Sequence, residues 1–127
     1  MDVSKSQSDW TKRIIGCAIK VHQELGPGLL ESSYEMALAR ELELAEISYQ
    51  RQIALPLHYK GENLDCGYRI DLLVEDDVVV EIKAVESLKP IHEAQLITYL
   101  KLAGKKTGLL INFNVILLRN GIRRFVL

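Results

Sequence analysis

A chain of 127 residues has the length of one domain, spanning 1–127, with enough interior to bury a real core. Its composition, 48% hydrophobic and 26% charged with a net charge of -1, excludes disordered and fibrous classes, and no run is long and apolar enough to span a bilayer. The N-terminal residues lack the apolar core of a signal peptide, so a cytoplasmic protein with no membrane partner is expected.

Ser8 can cap a helix running to about Leu25, with Trp10, Ile14, Cys17, Ala18, Val21 and Leu25 as a core-facing stripe. Gly26-Pro27-Gly28 breaks it, and a second helix follows from about Leu30 to Ala45, with Leu30, Tyr34, Ala37, Leu38, Leu42 and Ala45 inward. Glu31 lies in its first turn, where the helix dipole favours a carboxylate. Ile47 to Tyr59 reads as a strand, with Pro56 marking an edge or a bulge. After a turn at Lys60 to Asn63, the strands Leu64–Val74 and Val78–Ala84 complete a meander, folded back at the acidic turn Glu75-Asp76-Asp77. Pro90 opens a third helix, to about Ala103, in which Gln95 and Tyr99 share a face at i, i+4. Thr107 to Phe113 is the apolar run of a buried parallel strand. Val115–Arg119 and Ile122–Leu127 then flank Asn120-Gly121, a sequence suited to a type I′ hairpin. The expected fold is an α/β sandwich on a mixed sheet, with the third helix as the crossover.

Asp71, Glu81 and Lys83 are charged residues on strands that otherwise read as core. Alternation puts Val79, Glu81 and Lys83 on one face of their strand, and the hairpin brings Asp71 close to Glu81. Buried carboxylates need partners. Mg²⁺ (or Mn²⁺) would satisfy Asp71 and Glu81 together, aided by the carbonyl of Ile82 and by waters. Such a site suits phosphodiester hydrolysis, with Lys83 orienting or deprotonating water or stabilising the pentavalent transition state. The plainer reading is an exposed strand face carrying an ordinary Glu–Lys pair.

Cys17 and Cys66 lack metal-type spacing and read as buried small hydrophobes, and His22, His58 and His92 show no zinc-like interval. The charge is unevenly spread: all 17 acidic residues lie before Lys101, whereas Lys101, Lys105, Lys106, Arg119, Arg123 and Arg124 follow with no acidic neighbour. These six could track a phosphate backbone, or form a solvated surface that balances an acidic remainder.

A helix with Glu, a hairpin with Asp then Glu-x-Lys, and a helix with Gln-x-x-x-Tyr together resemble the PD-(D/E)XK nuclease superfamily in its RecB-like branch. Gly28-Leu29-Leu30-Glu31-Ser32-Ser33-Tyr34 further resembles the signature of the small bacterial and archaeal GxxExxY family. Ile70 stands where the superfamily's name has proline. The resemblance implies a restriction-endonuclease-like fold, Asp71 and Glu81 as metal ligands, and Lys83 as the catalytic lysine. By the same resemblance Glu31 completes the metal site, and Gln95 and Tyr99 support it or contact substrate. A Mg²⁺-dependent nuclease with nucleic acid, DNA by preference, as its substrate is therefore expected. The alternative is a catalytically silent nucleic-acid-binding or assembly subunit that keeps the fold; a phosphoesterase acting on small substrates is a third reading. So small a chain would recognise nucleic acid through a homodimer, a protein partner or its basic C-terminal segment.

Overall fold

Helix α1 (Val3–Leu25) and helix α2 (Glu31–Leu44) form where apolar residues recur at helical intervals. The computed structural model describes the backbone of residues 3–127 and the side chains of residues 10–127. Ile14, Cys17, Ala18 and Val21 are the buried stripe of α1, and Tyr34, Leu38, Ala39 and Leu42 that of α2. The ends of both helices differ from expectation. Because α1 already starts at Val3, Ser8 sits inside it rather than at its cap, and the Ser8 side chain lies outside the described residues. Leu25 and Leu30 are exposed, since each sits where a helix ends beside the Gly26-Pro27-Gly28 break.

Strands β1 (Tyr49–Tyr59), β2 (Glu62–Val74), β3 (Val78–Lys83), β4 (Thr107–Asn112) and β5 (Ile122–Val126) form one sheet in that order. The first three are the antiparallel meander expected. The first turn is the two residues Lys60 and Gly61, with positive φ at both (46° and 83°), and the second is the three residues Glu75 to Asp77, with positive φ at Glu75 (52°) and Asp76 (51°) and the Asp77 N–H donating to the Val74 carbonyl. Paired left-handed residues give the type I′ geometry, whose twist matches that of the strands. Pro56 lies on the edge strand β1 at a register shift between Leu55 and Leu57, where its missing N–H costs no ladder bond. Helix α3 (Pro90–Ala103) is the crossover, and β4 runs parallel to β3 from the pair Val78↔Thr107 to the pair Lys83↔Asn112.

Two cores result, one on each side of the sheet. Leu72, Val74, Val78, Val80, Ile82, Leu109 and Ile111 pack against α1 and α2, while Ile70, Leu73, Val79 and Leu110 pack against Leu96, Tyr99 and Leu100 of α3. The architecture is an α/β sandwich of restriction-endonuclease-like type. Among the described residues, no helix is long and apolar enough to cross a membrane.

The C-terminal end corrects the sequence reading. Val115–Arg119 is not a strand, and Asn120-Gly121 closes no hairpin; Leu118–Gly121 forms a 3₁₀ turn, and β5 pairs antiparallel with β4. A Cβ at Gly121 would stand 2.2 Å from the carbonyl oxygen of Asn112. The glycine is thus required by close backbone approach rather than by turn geometry. Both cysteines are free, with Cys17 buried and Cys66 exposed on the outer part of β2, so only the first behaves as a core residue.

Candidate active site

β3 pairs with β2 over only three positions, Leu72↔Val80, Leu73↔Val79 and Val74↔Val78. At the next step Asp71 and Glu81 meet, and side chains take over from the backbone ladder. The Asp71 N–H donates to Glu81 Oε1 at 3.2 Å, and the Ile82 N–H donates to Asp71 Oδ2 at 2.8 Å. Each carboxylate thereby satisfies a backbone donor that the parting strands would leave without a partner.

The parting has a local cause in β1. On β2, Ile70 and Leu73 both pack on the α3 side although they are three residues apart, which strict alternation forbids. On β1, Tyr49 packs on the α1–α2 side and Ile53 and Leu55 on the other, although all three are separated by even numbers. Between these residues Gln52 adopts φ 53°, a left-handed conformation rare outside glycine. Its amide donates to Glu35 Oε1 at 2.8 Å and to Asp71 Oδ1 at 3.4 Å. Glu35 is itself only 6% exposed and accepts from Arg51 at both Nε (3.1 Å) and Nη2 (2.9 Å). This network holds the pleat reversal in place and aims Asp71 across the gap.

Burial raises the proton affinity of both carboxyls. Glu81 is pushed up to about 8, first by desolvation and then by the negative charge of Asp71. Asp71 rises to about 6, again mainly through desolvation, although the bond from the Ile82 N–H pulls the other way and the Glu35 charge adds to the rise. Lys83 opposes the rise in both groups and Glu31 adds to it.

The other expected residues lie around this pair. Lys83 Nζ donates to Gln95 Oε1 at 3.3 Å, and Gln95 Nε2 donates to Tyr99 Oη at 3.0 Å, so α3 is tied to β3 through the face that alternation assigned. Desolvation and then the Glu81 charge raise the Tyr99 hydroxyl above its ordinary value. Glu31 Oε1 accepts from the Ala84 N–H at 3.4 Å, just past the end of β3. Its placement depends on Tyr34, whose buried hydroxyl accepts from the Leu29 N–H (3.1 Å) and donates to the Gly26 carbonyl (2.6 Å), pinning the turn that starts α2. The Tyr34 ring stacks on Phe113, with centroids 4.5 Å apart. Buried Asn112 accepts from the Val85 N–H and donates to the Val85 carbonyl, fastening the segment after β3.

The basic residues do not gather into one surface. Lys101 lies in the last turn of α3, and Lys105 is bound to Asp76 through both its carboxylate (3.1 Å) and its carbonyl (2.9 Å). Lys105 and Lys106 precede β4, at the end of the sheet away from Lys83. Arg119 sits in the 3₁₀ turn, and Arg123 and Arg124 are successive residues of β5, which point to opposite faces. Arg123 donates to the carbonyls of Asn120 and Ile122.

Sequence reasoning missed Glu35, Arg51, Gln52 and Asn112. Glu31 and Glu35 lie one turn apart on α2, and two like charges at that spacing repel unless one has a partner elsewhere; that was a usable signal for Glu35. Gln52 carries no such signal.

Among the described residues, no three His, Cys, Asp or Glu side chains stand as a ready metal-holding group. The donors present still suit a hard divalent cation. Asp71 and Glu81 supply two desolvated carboxylates whose mutual repulsion a cation would relieve, and Glu31 is near enough for its charge to act on both. In comparison with known proteins, the family model of the PD-(D/E)XK nuclease superfamily matches residues 8–125. A search of curated proteins gave no match, nor did one of solved structures.

Proposed function

The chain belongs to the PD-(D/E)XK nuclease superfamily, and from that premise we propose that it hydrolyses phosphodiester bonds of nucleic acid, DNA foremost, with Mg²⁺ (or Mn²⁺) as cofactor. The observation that carries this reading is the buried Asp71–Glu81 pair at the parting of β2 and β3, with Lys83 one pleat further on. Asp71, Glu81, the carbonyl of Ile82 and Glu31 would hold the cation. When bound, the cation supplies Lewis-acid polarisation of the scissile phosphate and neutralises the carboxylate pair.

The protein's own groups do the rest. Lys83 places a positive charge beside the phosphate, where it stabilises the pentavalent transition state or orients the attacking water. Gln95 fixes the lysine by accepting a hydrogen bond from its ammonium group, and Tyr99 holds Gln95 in turn. Arg51 and Gln52 keep Glu35 and Asp71 in register, so the reacting carboxylate does not have to be ordered when substrate arrives. Lys101, Lys106, Arg119, Arg123 and Arg124 would meet the phosphate backbone from several sides, with Lys105 partly committed to Asp76.

Within the superfamily, the segment Gly28 to Tyr34 supports a reading of the chain as a member of the GxxExxY family of bacteria and archaea, and the Gln95–Tyr99 pair supports the RecB-like branch. On this reading residues 1–127 are one nuclease domain acting in the cytoplasm, with a second copy or a protein partner widening its contact with nucleic acid. The test is cleavage of single- and double-stranded DNA and RNA with Mg²⁺ or Mn²⁺, comparing wild type with Glu81→Ala. Wild-type cleavage that falls by roughly 10³-fold or more in the variant is expected. Binding without cleavage by a folded wild type would instead favour the silent binding subunit.

A further inference from the structure

Beyond Leu72, β2 has no partner in β3, so its outer half and β1 continue as a two-stranded arm beside the carboxylates. Nearly every residue of β2 from Glu62 to Arg69 is exposed. On the α3 side the arm is not bare backbone. Leu57 and Tyr68 of the arm and Ile91, Gln95, Thr98 and Tyr99 of α3 line a cleft of about 270 Å³. The Tyr68 ring stands 6.2 Å from that of Tyr99 at 57°, and it is 42% exposed where Tyr99 is 6%. Ile91, on the opposite lip, is 69% exposed. An open aromatic face and an open aliphatic side chain thus flank a slot below the roughly 300–1,000 Å³ of ordinary small-molecule clefts. That size admits one aromatic heterocycle rather than a larger ligand.

The slot is continuous with the reactive centre. Tyr99, which forms its inner wall, accepts from Gln95, and Gln95 accepts from Lys83. We propose that this cleft is a nucleobase subsite, in which Tyr68 stacks one unpaired base of the strand whose phosphate lies at Asp71, Glu81 and Lys83. The inference rests on the nuclease reading above and names its substrate class. Every nucleobase offers a π face, so a stacking platform tolerates sequence. A paired base inside a duplex has both faces covered by its neighbours and cannot enter. The substrate is therefore a single strand, a frayed end or a nucleotide turned out of the helix.

The test measures binding in EDTA, where no strand is cut. Fluorescence anisotropy would follow short DNA and RNA single strands, each with and without a central run of abasic residues, against wild type, Tyr68→Ala, Tyr68→Leu and Tyr68→Phe. Tyr68→Leu keeps apolar packing on the arm, and circular dichroism checks that each variant folds. Stacking predicts that Tyr68→Ala and Tyr68→Leu weaken binding to the base-bearing strand by roughly 5- to 150-fold. Tyr68→Phe should bind as wild type does, and all four proteins should bind the abasic strand alike. Whichever of DNA and RNA shows the Tyr68 dependence names the sugar of the substrate. Equal affinity of wild type for base-bearing and abasic strands, or of Tyr68→Leu and wild type for the base-bearing strand, overturns the subsite. A wild type that cuts in the cleavage panel but lacks the Tyr68 dependence loses the subsite and keeps the nuclease reading. A wild type that neither cuts nor binds loses both.

Discussion

At the turn end of the β2–β3 pair, Val74 and Val78 face each other across a regular ladder, both fully buried, and the turn Glu75 to Asp77, left-handed at Glu75 and Asp76, closes the hairpin. Three residues away along the same strands, Asp71 and Glu81 interrupt that ladder, and the backbone bonds to their side chains instead. The turn end buries apolar surface and satisfies every donor within the ladder, so it stabilises the fold. The carboxylate end desolvates two acids against each other and holds Gln52 in a left-handed conformation, so it costs stability. A sheet with a continuous ladder would be more stable but would hold no opening for a cation. The difference between the two ends marks the place where the proposed chemistry would act.

The largest expected break in this comparison is Glu81→Gln. The Glu81 carboxyl, raised to about 8 from a free-chain value near 4.3, contributes stability that is fully present below about pH 4 and is lost as pH rises through about 8. Metal-free wild type should therefore lose stability between pH 5 and pH 9. Glutamine mimics the neutral acid, so the variant should stay close to wild type at pH 5 and exceed it at pH 9 by several kcal/mol, on the order of 4 to 5. Urea titrations at the two pH values in EDTA would show this, and an identical pH slope for the two proteins would count against a desolvated Glu81. Saturating Mg²⁺ should reverse the order, stabilising wild type and leaving the variant unmoved. Because the cation displaces protons from Asp71 and Glu81, its affinity should climb from pH 6 to pH 8, with proton release visible by calorimetry in buffers of different ionisation enthalpy.

Val78→Ala probes the opposite end. Removing two buried methyl groups opposite Val74 should lower stability by about 2 kcal/mol through lost burial and a residual cavity. Metal affinity per folded molecule should not change, because no bond of the carboxylate pair touches that position. A parallel loss of metal affinity would show that the two ends are mechanically coupled rather than separate.

Tyr34→Phe lies between these extremes. The hydroxyl serves the Leu29 N–H and the Gly26 carbonyl from a fully buried position, so its loss leaves two backbone groups short of a partner. A stability loss of about 1–2 kcal/mol in chemical denaturation is expected. Since the same turn starts α2 and positions Glu31 against Ala84, metal affinity should fall modestly as well. A stability change without any effect on metal affinity would make Tyr34 a core residue alone.

Legibility in the sequence followed the same division. The turn end could be read: alternating valines, an acidic turn and the parallel apolar run of β4 each obey a single local rule, and their elements formed where expected. The face shared by Glu81 and Lys83 followed from alternation in β3, which stays regular. The C-terminal hairpin failed because Asn-Gly satisfies two different needs, and here Gly121 is selected by its closeness to the Asn112 carbonyl, a contact between residues that pattern alone does not bring together. The support of Asp71 was illegible for a related reason. Gln52 has no composition signal for a left-handed φ, and the reversal of the pleat depends jointly on Glu35, Arg51 and Asp71, contributed by three elements. The i, i+4 spacing put Gln95 and Tyr99 on one face of α3, but the hydrogen bonds that run from Lys83 through Gln95 to Tyr99 join two elements and could not be read from either alone.

The smallest expected effect belongs to the acidic turn itself. Sequence alone cannot tell whether Glu75-Asp76-Asp77 shares in the chemistry of Asp71 and Glu81 or merely ends a strand. In the structure Asp76 is strongly exposed and its carboxylate meets Lys105, while Glu75 binds the backbone N–H of Ser48, so both face away from the parted strands. Asp76→Asn keeps a residue that tolerates positive φ and removes only the charge. Exposed pairs of this kind contribute little, so stability should shift by no more than about 0.5 kcal/mol, and less at high salt. Metal affinity and cleavage should match wild type. If instead Asp76→Asn weakened either one, the charge of the turn would be acting along the length of the hairpin, and the two ends would no longer be separable in function.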